Sequence, residues 1–594
     1  MIIRASFALC TALALAACAT TSTPSSRQLP VLLPSEGQAE ALEQLQDGAE
    51  SPVFAGTVAT ADFRATAAGE EILAAGGTAT DAAIAIMLAL TVVEPQSSGI
   101  GGGGFLVRGT PDGQVIAYDG REKAPSAAMP DWFLDESGAP LPKKEATISG
   151  LSVGVPGNVA LAKLAHDRHG KLDWATLVAP AIRLARDGFV VNPRLVTVLE
   201  GRLDRAGYDP KAGATFYEAD GTPRAAGTTI RQPELAATLE KLAAEGPGAF
   251  YSGDFAAGLA AHIAADTPRS AGMTAADISA YEPAVRSAVC GSYRGYRICG
   301  MGPPSSGGIA VLQMLKQLER FDIAAMGPRS LTAWHLFLES QRLAYTDREL
   351  YTGDADFVDV PVEGLIDEAY LSGRSVMLDA GRRSEGFVPG TPPRAPQARA
   401  MGEHYPESGT THFVTIGADG TMVSYTSTIE GAFGSGLMYG GFYLNNELTD
   451  FSFLPERGGV PVANRVQGNK RPRSSMSPTV VYDPEGRPFM AVGAAGGPTI
   501  PIQTARAIMG VIDFGLTLEE ALAQPMIMGF GERVIVEEAS WLEAAIPQLN
   551  AMGHTDIVTS DFLYRTNGAL RTRNGWNAAY DPRLDSVLRL SGAE

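Results

Sequence analysis

The chain is poor in the residues that several classes of function would require. Lysine and arginine total 47 against 66 aspartates and glutamates, giving a formal charge of -19, and the basic residues nowhere cluster. Binding to phosphates draws on clustered cations, so a nucleic-acid partner is excluded. Only 7 histidines occur in 594 residues, and none has ligand spacing. His166 and His169 stand three apart on one predicted helix and are expected to face solvent. No metal and no organic cofactor is implied. Beyond the first residues, no stretch is long and apolar enough to be a transmembrane helix, and internal repeats are lacking. What the chain does have is 45% hydrophobic residues, enough to bury one very large core or two ordinary ones.

The start of the chain reads as an export signal. Met1-Ile2-Ile3-Arg4 leads into an apolar run from Ala5 to Ala17 that is too short to span a bilayer. Leu15-Ala16-Ala17-Cys18 resembles a bacterial lipobox, in which Cys18 is lipidated and becomes the mature terminus. The alternative is ordinary signal cleavage after Ala14-Leu15-Ala16. The expected organisation is a signal over residues 1–18, a flexible Ser/Thr/Pro-rich tether over 19–50, and a folded remainder. The expected location is the periplasm, with a lipid anchor in the outer membrane. In such an oxidising compartment disulfides persist. Cys290 and Cys299 flank a segment turning at Arg294-Gly295, so that Tyr293 faces Tyr296 and Cys290 faces Cys299 in a non-hydrogen-bonded pair. That predicts a structural disulfide and no catalytic cysteine.

From residue 54 onward helical and strand patterns alternate. Residues 76–90 read as a capped, buried helix. The glycine run Gly99 to Gly104 follows a helix and enters a strand, the reverse of a phosphate-cradling loop, and predicts close backbone packing. Amphipathic helices are expected at 158–169 and 331–345. Residues 389–408 lose periodicity and read as an exposed loop. Strands are then expected at 411–416 and 421–429, joined by the turn formers Gly417-Ala418-Asp419-Gly420.

The junction of that loop and that hairpin carries the chemistry. In Ser408-Gly409-Thr410-Thr411-His412-Phe413 a threonine opens a strand directly after a glycine. A threonine hydroxyl needs a base to become a nucleophile, and a free α-amine, titrating near neutrality, serves when the threonine is itself a chain terminus. Cutting Gly409-Thr410 creates that amine, and Gly409 leaves its carbonyl open to attack and tolerates unusual backbone angles. With a hairpin loop of three or four residues, Thr410 falls opposite Ser427 or Thr428, which offers a second hydroxyl.

With these residues the sequence resembles the gamma-glutamyltranspeptidase family over nearly everything after the tether. Gly409-Thr410-Thr411-His412-Phe413 is similar to the family's processing site. Further resemblances, in the family's order, are Glu94-Pro95-Gln96-Ser97-Ser98-Gly99, Asp119-Gly120-Arg121-Glu122, Gly302-Pro303-Pro304-Ser305-Ser306-Gly307-Gly308, Tyr443 to Phe451, Asn469 to Thr479, and Gly493-Ala494-Ala495-Gly496-Gly497. The resemblance implies an α/β (α+β) fold, a four-layer αββα sandwich of the N-terminal-nucleophile hydrolase type. It is built jointly by a large fragment (51–409) and a small one (410–594) cut from one precursor. It implies Thr410 as nucleophile, Thr428 as its supporting hydroxyl, and Gly496 and Gly497 as oxyanion donors. Arg121, Ser474 and Ser475 are implied to hold the α-carboxylate of a γ-glutamyl donor such as glutathione, and Glu447 and Asp450 its ammonium. Water, an amino acid or a peptide then accepts the acyl group. Two departures stand out. Glu430 replaces the Asn of many relatives and adds a carboxylate near the ammonium site, and residues 452–469 are shorter than lid-bearing relatives require, which implies an open cleft. Two alternatives are a glutaryl or cephalosporin acylase of the same fold and a non-catalytic, lipid-anchored binding protein.

Overall fold

Strand alternation sorts the apolar residues into three main cores that separate four layers, and a smaller fourth cluster forms around Trp132, Phe133 and Phe453. The computed structural model describes residues 55–396, 399–402, 409–561 and 564–588. The expected signal, Cys18 and the tether lie outside the described residues. One six-stranded antiparallel sheet runs in the order β1 (Gly56–Ala59), β7 (Thr411–Gly417), β8 (Met422–Thr428), β2 (Gly103–Gly109), β3 (Val115–Asp119), β4 (Ala284–Ser287). The other runs β12 (Gly575–Tyr580), β11 (Arg565–Thr572), β10 (Pro488–Ala495), β9 (Thr479–Tyr482), β6 (Tyr296–Gly300), β5 (Val289–Tyr293). Each sheet therefore combines strands from before and after Thr410.

Along β7, Phe413 points to one core while Val414 and Ile416 point to another, and along β2 Leu106 opposes Phe105 and Val107 in the same way. The shared core, with Val480, Tyr482 and Ala491 of the second sheet, lies between the sheets. Helices α1 (Ala79–Val93) and α2 (Asn158–His169) cover the first sheet, and α3 (Gly307–Leu318) and α5 (Ile500–Ile512) the second, with α4 (Leu331–Tyr351) packed on α3. This is an αββα sandwich. Among the described residues no helix is long and apolar enough to cross a membrane.

Local chemistry sets the boundaries. Helix α1 starts at Ala79 because Thr78 and Asp81 form a capping box, and it is buried along its whole length. Helix α4 runs past the expected end to Tyr351, since buried charged residues such as Asp347 and Arg348 extend it where an apolar stripe would not. Glycines at 101 and 102 answer close approach: a Cβ there would lie 2.0 Å from the Tyr443 carbonyl and 1.9 Å from that of Thr428. The histidines of α2 differ from expectation. The ring of His169 bonds the Tyr118 hydroxyl at 2.6 Å, and that of His166 bonds the Leu172 carbonyl at 2.8 Å, because the helix lies against β3. Burial pushes His169 down to about 4, with Arg108 and Arg168 adding repulsion. In the β5–β6 hairpin Tyr293 faces Tyr296 and Cys290 faces Cys299, with the two sulfurs bonded at 2.08 Å.

Candidate active site

Register brings the threonines together. Ile416 pairs with Met422 and Thr411 with Ser427, so one step further Thr410 stands opposite Thr428. Their hydroxyl oxygens are 3.0 Å apart and buried. Thr428 Oγ1 also accepts the Glu430 N–H at 2.7 Å, which leaves its own proton to donate. Thr410 has φ of +80°, a left-handed conformation that a β-branched residue adopts at a cost of about 1–3 kcal/mol. Its N–H donates to the Ser97 carbonyl at 2.9 Å. The unusual backbone angle thus sits on Thr410. At Gly409 the requirement is space, because a Cβ would lie 1.8 Å from the Glu430 carbonyl.

A buried guanidinium holds the peptide bond between these two residues. Arg565, the first residue of β11, donates from Nη2 to the Gly409 carbonyl at 2.6 Å and from Nη1 to the Thr410 carbonyl at 3.0 Å. Burial lowers its pKa to about 9, with Arg194 lowering it further and Glu94 opposing, so it is cationic at neutral pH. Glu94 accepts the Thr411 hydroxyl at 2.6 Å and pairs with Arg194, which also reaches Ser97 Oγ at 3.3 Å. Glu94 lies in a segment that the sequence singles out, but Arg194 and Arg565 are single arginines in helix and strand patterns and carry no local signal.

Gly496 and Gly497 join β10 to the 13-residue helix α5 with φ of +129° and +59°. Ala495 pairs with Arg565 across the sheet, so the two glycines follow directly on the residue that faces the arginine holding the Gly409-Thr410 bond. Among the described residues neither glycine N–H donates to another protein group, and both stand at the positive end of the helix. This arrangement can stabilise an oxyanion.

The third part of the site is charged. Arg121, expected to face a substrate carboxylate, is instead paired with Glu447 and, at 2.5 Å, with Asp450, the two groups expected to hold an ammonium. Two further N–H groups reach the Pro472 and Arg473 carbonyls at 3.2 and 3.1 Å. The physical reason is burial: a charge out of water needs a partner of opposite sign, and Arg121 is the cation that both carboxylates reach, which leaves the cluster with an excess of negative charge. One Glu447 oxygen, Oε2, is buried without a partner. Glu430, with φ of +72°, completes a trio in which carboxylate oxygens of Glu430, Glu447 and Asp450 lie within 4.8 Å of one another. Ser475 Oγ accepts from Arg348 at 2.7 Å, and Ser474 Oγ accepts the Met476 N–H at 3.1 Å. Arg348 is another buried arginine without a sequence signal. Residues 456–461 fold as a small hairpin, and Asn464 beyond it donates to the Asp450 carbonyl at 2.6 Å.

Glu122 lies next to Arg121 with both carboxylate oxygens buried and unpartnered. Desolvation raises its pKa to about 8, with Arg121 opposing. The folded state therefore keeps a proton that the unfolded chain releases near 4.5. This contribution to stability is complete below that value and is lost as pH rises toward 8. In Glu122→Gln, thermal melts across pH should match wild type at pH 5 and show a higher Tm than wild type at pH 9. A parallel decline in both proteins would contradict the assignment.

His335, Glu339 and His554 also converge, though 219 residues separate the histidines. The group is a closed relay. Arg342 donates to Glu339 at 3.2 Å and to His554 Nδ1 at 3.4 Å, His554 Nε2 bonds His335 Nδ1 at 2.9 Å, and His335 Nε2 bonds the Asp379 carbonyl at 2.9 Å. The guanidinium already supplies the positive charge there.

Comparison with known proteins agrees with this geometry. The chain is 37% identical over 512 residues to a glutathione hydrolase proenzyme of Bacillus subtilis, covering 84% of this chain and 85% of that one. It is 38% identical over 497 residues to a glutathione hydrolase proenzyme of Escherichia coli, covering 80% and 82%. The crystal structure of a cephalosporin acylase from Bacillus halodurans superposes with a TM-score of 0.76 at 27% identity, covering 89% of this chain and 94% of that one. Residues 65–589 match the family described as gamma-glutamyltranspeptidase, and the chain belongs to that family.

Proposed function

We propose that the chain is made as a precursor that cuts itself between Gly409 and Thr410 and then works as a gamma-glutamyl hydrolase and transferase on glutathione and related donors. The observation that carries this reading is the Thr410–Thr428 hydroxyl contact at 3.0 Å beside a Gly409 carbonyl held by Arg565. In processing, Thr410 Oγ1 bonds to the Gly409 carbonyl carbon and the C–N bond breaks, giving an ester and a free amine. Water then hydrolyses the ester, leaving a carboxylate on Gly409 and Thr410 as a new terminus, so that fragments 51–409 and 410–594 remain as one intertwined enzyme.

In turnover the same hydroxyl attacks the γ-amide while the Thr410 amine takes its proton. The Gly496 and Gly497 N–H groups receive the oxyanion, and the departing amine leaves with the proton. Water, an amino acid or a peptide then takes the γ-glutamyl group from the ester. On binding, the substrate's α-carboxylate replaces the carboxylates now on Arg121 and adds the Ser474 and Ser475 hydroxyls. Its ammonium takes over Glu447 and Asp450. A zwitterion can make this exchange without stranding a charge.

The third carboxylate favours this reading over a glutaryl acylase, whose substrate lacks the ammonium. Glu430→Gln should raise KM for γ-glutamyl-anilide by about tenfold, the size of one charge-assisted bond. The ratio of glutaryl-anilide to γ-glutamyl-anilide turnover should rise with it. An unchanged ratio would remove Glu430 from donor selection. Intact mass with amino-terminal sequencing of the exported protein tests the cut directly. The same measurement tests the further proposal, supported by the lipobox-like Leu15-Ala16-Ala17-Cys18, that the enzyme is tethered in the periplasm through a lipid on Cys18.

A further inference from the structure

The donor site has two charged ends of opposite sign. At one end Arg121 stands against the carboxylates of Glu430, Glu447 and Asp450. At the serine end the balance is reversed. Arg348 of α4 and Arg473 share the carboxylate of Glu349, Arg348 through Nη1 and Arg473 through Nη2 at 2.6 Å, and among the described residues neither guanidinium pairs with a second carboxylate. Both arginines are buried, so solvent and salt screen them little. Arg348 also holds the serines. Its Nη2 donates to the Ser475 hydroxyl at 2.7 Å and its Nε to the Ser306 hydroxyl at 2.9 Å. Ser306 passes the hold on, because its hydroxyl and its N–H donate to the Ser474 carbonyl at 2.7 and 2.9 Å.

We infer that Arg348 is a positioning residue for the donor's α-carboxylate, acting chiefly through the Ser475 hydroxyl, and that with Arg473 it forms the positive pole that orients the zwitterion. The inference deepens the reaction proposed above and rests on it. A hydroxyl has one proton to give. The Ser475 oxygen accepts from Arg348, and among the described residues its hydroxyl donates to no protein group, so that proton is available to a ligand. A hydroxyl that accepts from a cation is polarised and donates more strongly. A carboxylate bound to Ser475 therefore meets a second cation one atom further back, in addition to Arg121. A donor entering the other way round would set its ammonium toward two guanidiniums and its carboxylate toward three of its own kind.

The test is a double-mutant cycle read on γ-glutamyl-anilide turnover, with circular dichroism melts to confirm folded protein. Arg348→Gln should raise KM by about tenfold, the size of one hydrogen bond to a charged group. The change should fall on KM and move kcat by less than about twofold, because the donor's carboxylate is held alike before and during attack. Ser475→Ala should also raise KM by about tenfold. The double variant should reach about thirtyfold in place of the hundredfold product, since the two residues act as one relay. Arg348→Lys keeps the charge without the fork and should recover part of the affinity. It carries the same cycle should the glutamine protein fold poorly. Effects on KM that multiply in full, or a fall in kcat at unchanged KM, would overturn the role of Arg348 while leaving γ-glutamyl transfer standing. If wild type does not turn over γ-glutamyl-anilide, the underlying reaction fails, and this role with it.

Discussion

Thr410→Ala should yield a single uncut chain with no measurable turnover of any γ-glutamyl amide. The side chain supplies the only atom that both reactions use as nucleophile, and the amine that serves as base in turnover does not exist until the first reaction has occurred. The substitution also removes the 3.0 Å contact to Thr428. Alanine loses no large apolar surface at this buried position, so folding should survive and a circular dichroism melt should stay near that of wild type. Thr410→Ser gives the informative contrast. It keeps the hydroxyl and drops the β-branch, and with it part of the cost of holding φ at +80°. It should cut itself and retain turnover. A denaturing gel and an anilide assay read both variants, and normal cleavage in the alanine protein would refute the whole assignment.

Much of this site was legible because its parts are local in sequence. The turn residues at 417–420 fix the hairpin register to within one residue, leaving Ser427 or Thr428 opposite Thr410, and the observed pairing of Thr411 with Ser427 selects Thr428. The glycine pair at 496 and 497 was marked by the family resemblance, and in the fold it joins β10 to α5. What escaped is long-range and buried. Arg565 acts on a peptide bond 156 residues away, and Arg348 supports Ser475 across 127. No local pattern marks either, because periodicity reports which face of an element is apolar and is silent about which buried cation meets which carbonyl. The roles of Arg121, Glu447 and Asp450 were inferred from what a zwitterionic substrate presents. Their pairing with one another follows from a different demand, the need of each buried charge for a partner of opposite sign, which residue types alone do not disclose.

Arg565→Met should slow self-cleavage by about 10²- to 10³-fold, the usual cost of losing one preorganised oxyanion donor. In the uncut chain the guanidinium donates to the Gly409 carbonyl at 2.6 Å. Attack by Thr410 Oγ1 places negative charge on that oxygen, so a bond that is already charge-assisted strengthens as the barrier is climbed. The backbone angle at Thr410 adds to the effect. Once the bond breaks, the residue has no preceding carbonyl and no φ to hold, so about 1–3 kcal/mol of strain is released along the same coordinate. Lysine at this position would keep the charge while losing the two-pronged grip on Gly409 and Thr410, and it should recover part of the rate. The measurement is the time course of precursor loss on a denaturing gel after purification, with melts run alongside. If Arg565 merely braces the start of β11, the methionine protein will melt lower while its folded fraction cleaves at the wild-type rate. A normal melt with stalled cleavage, partly restored by lysine, would place the guanidinium in the processing chemistry itself.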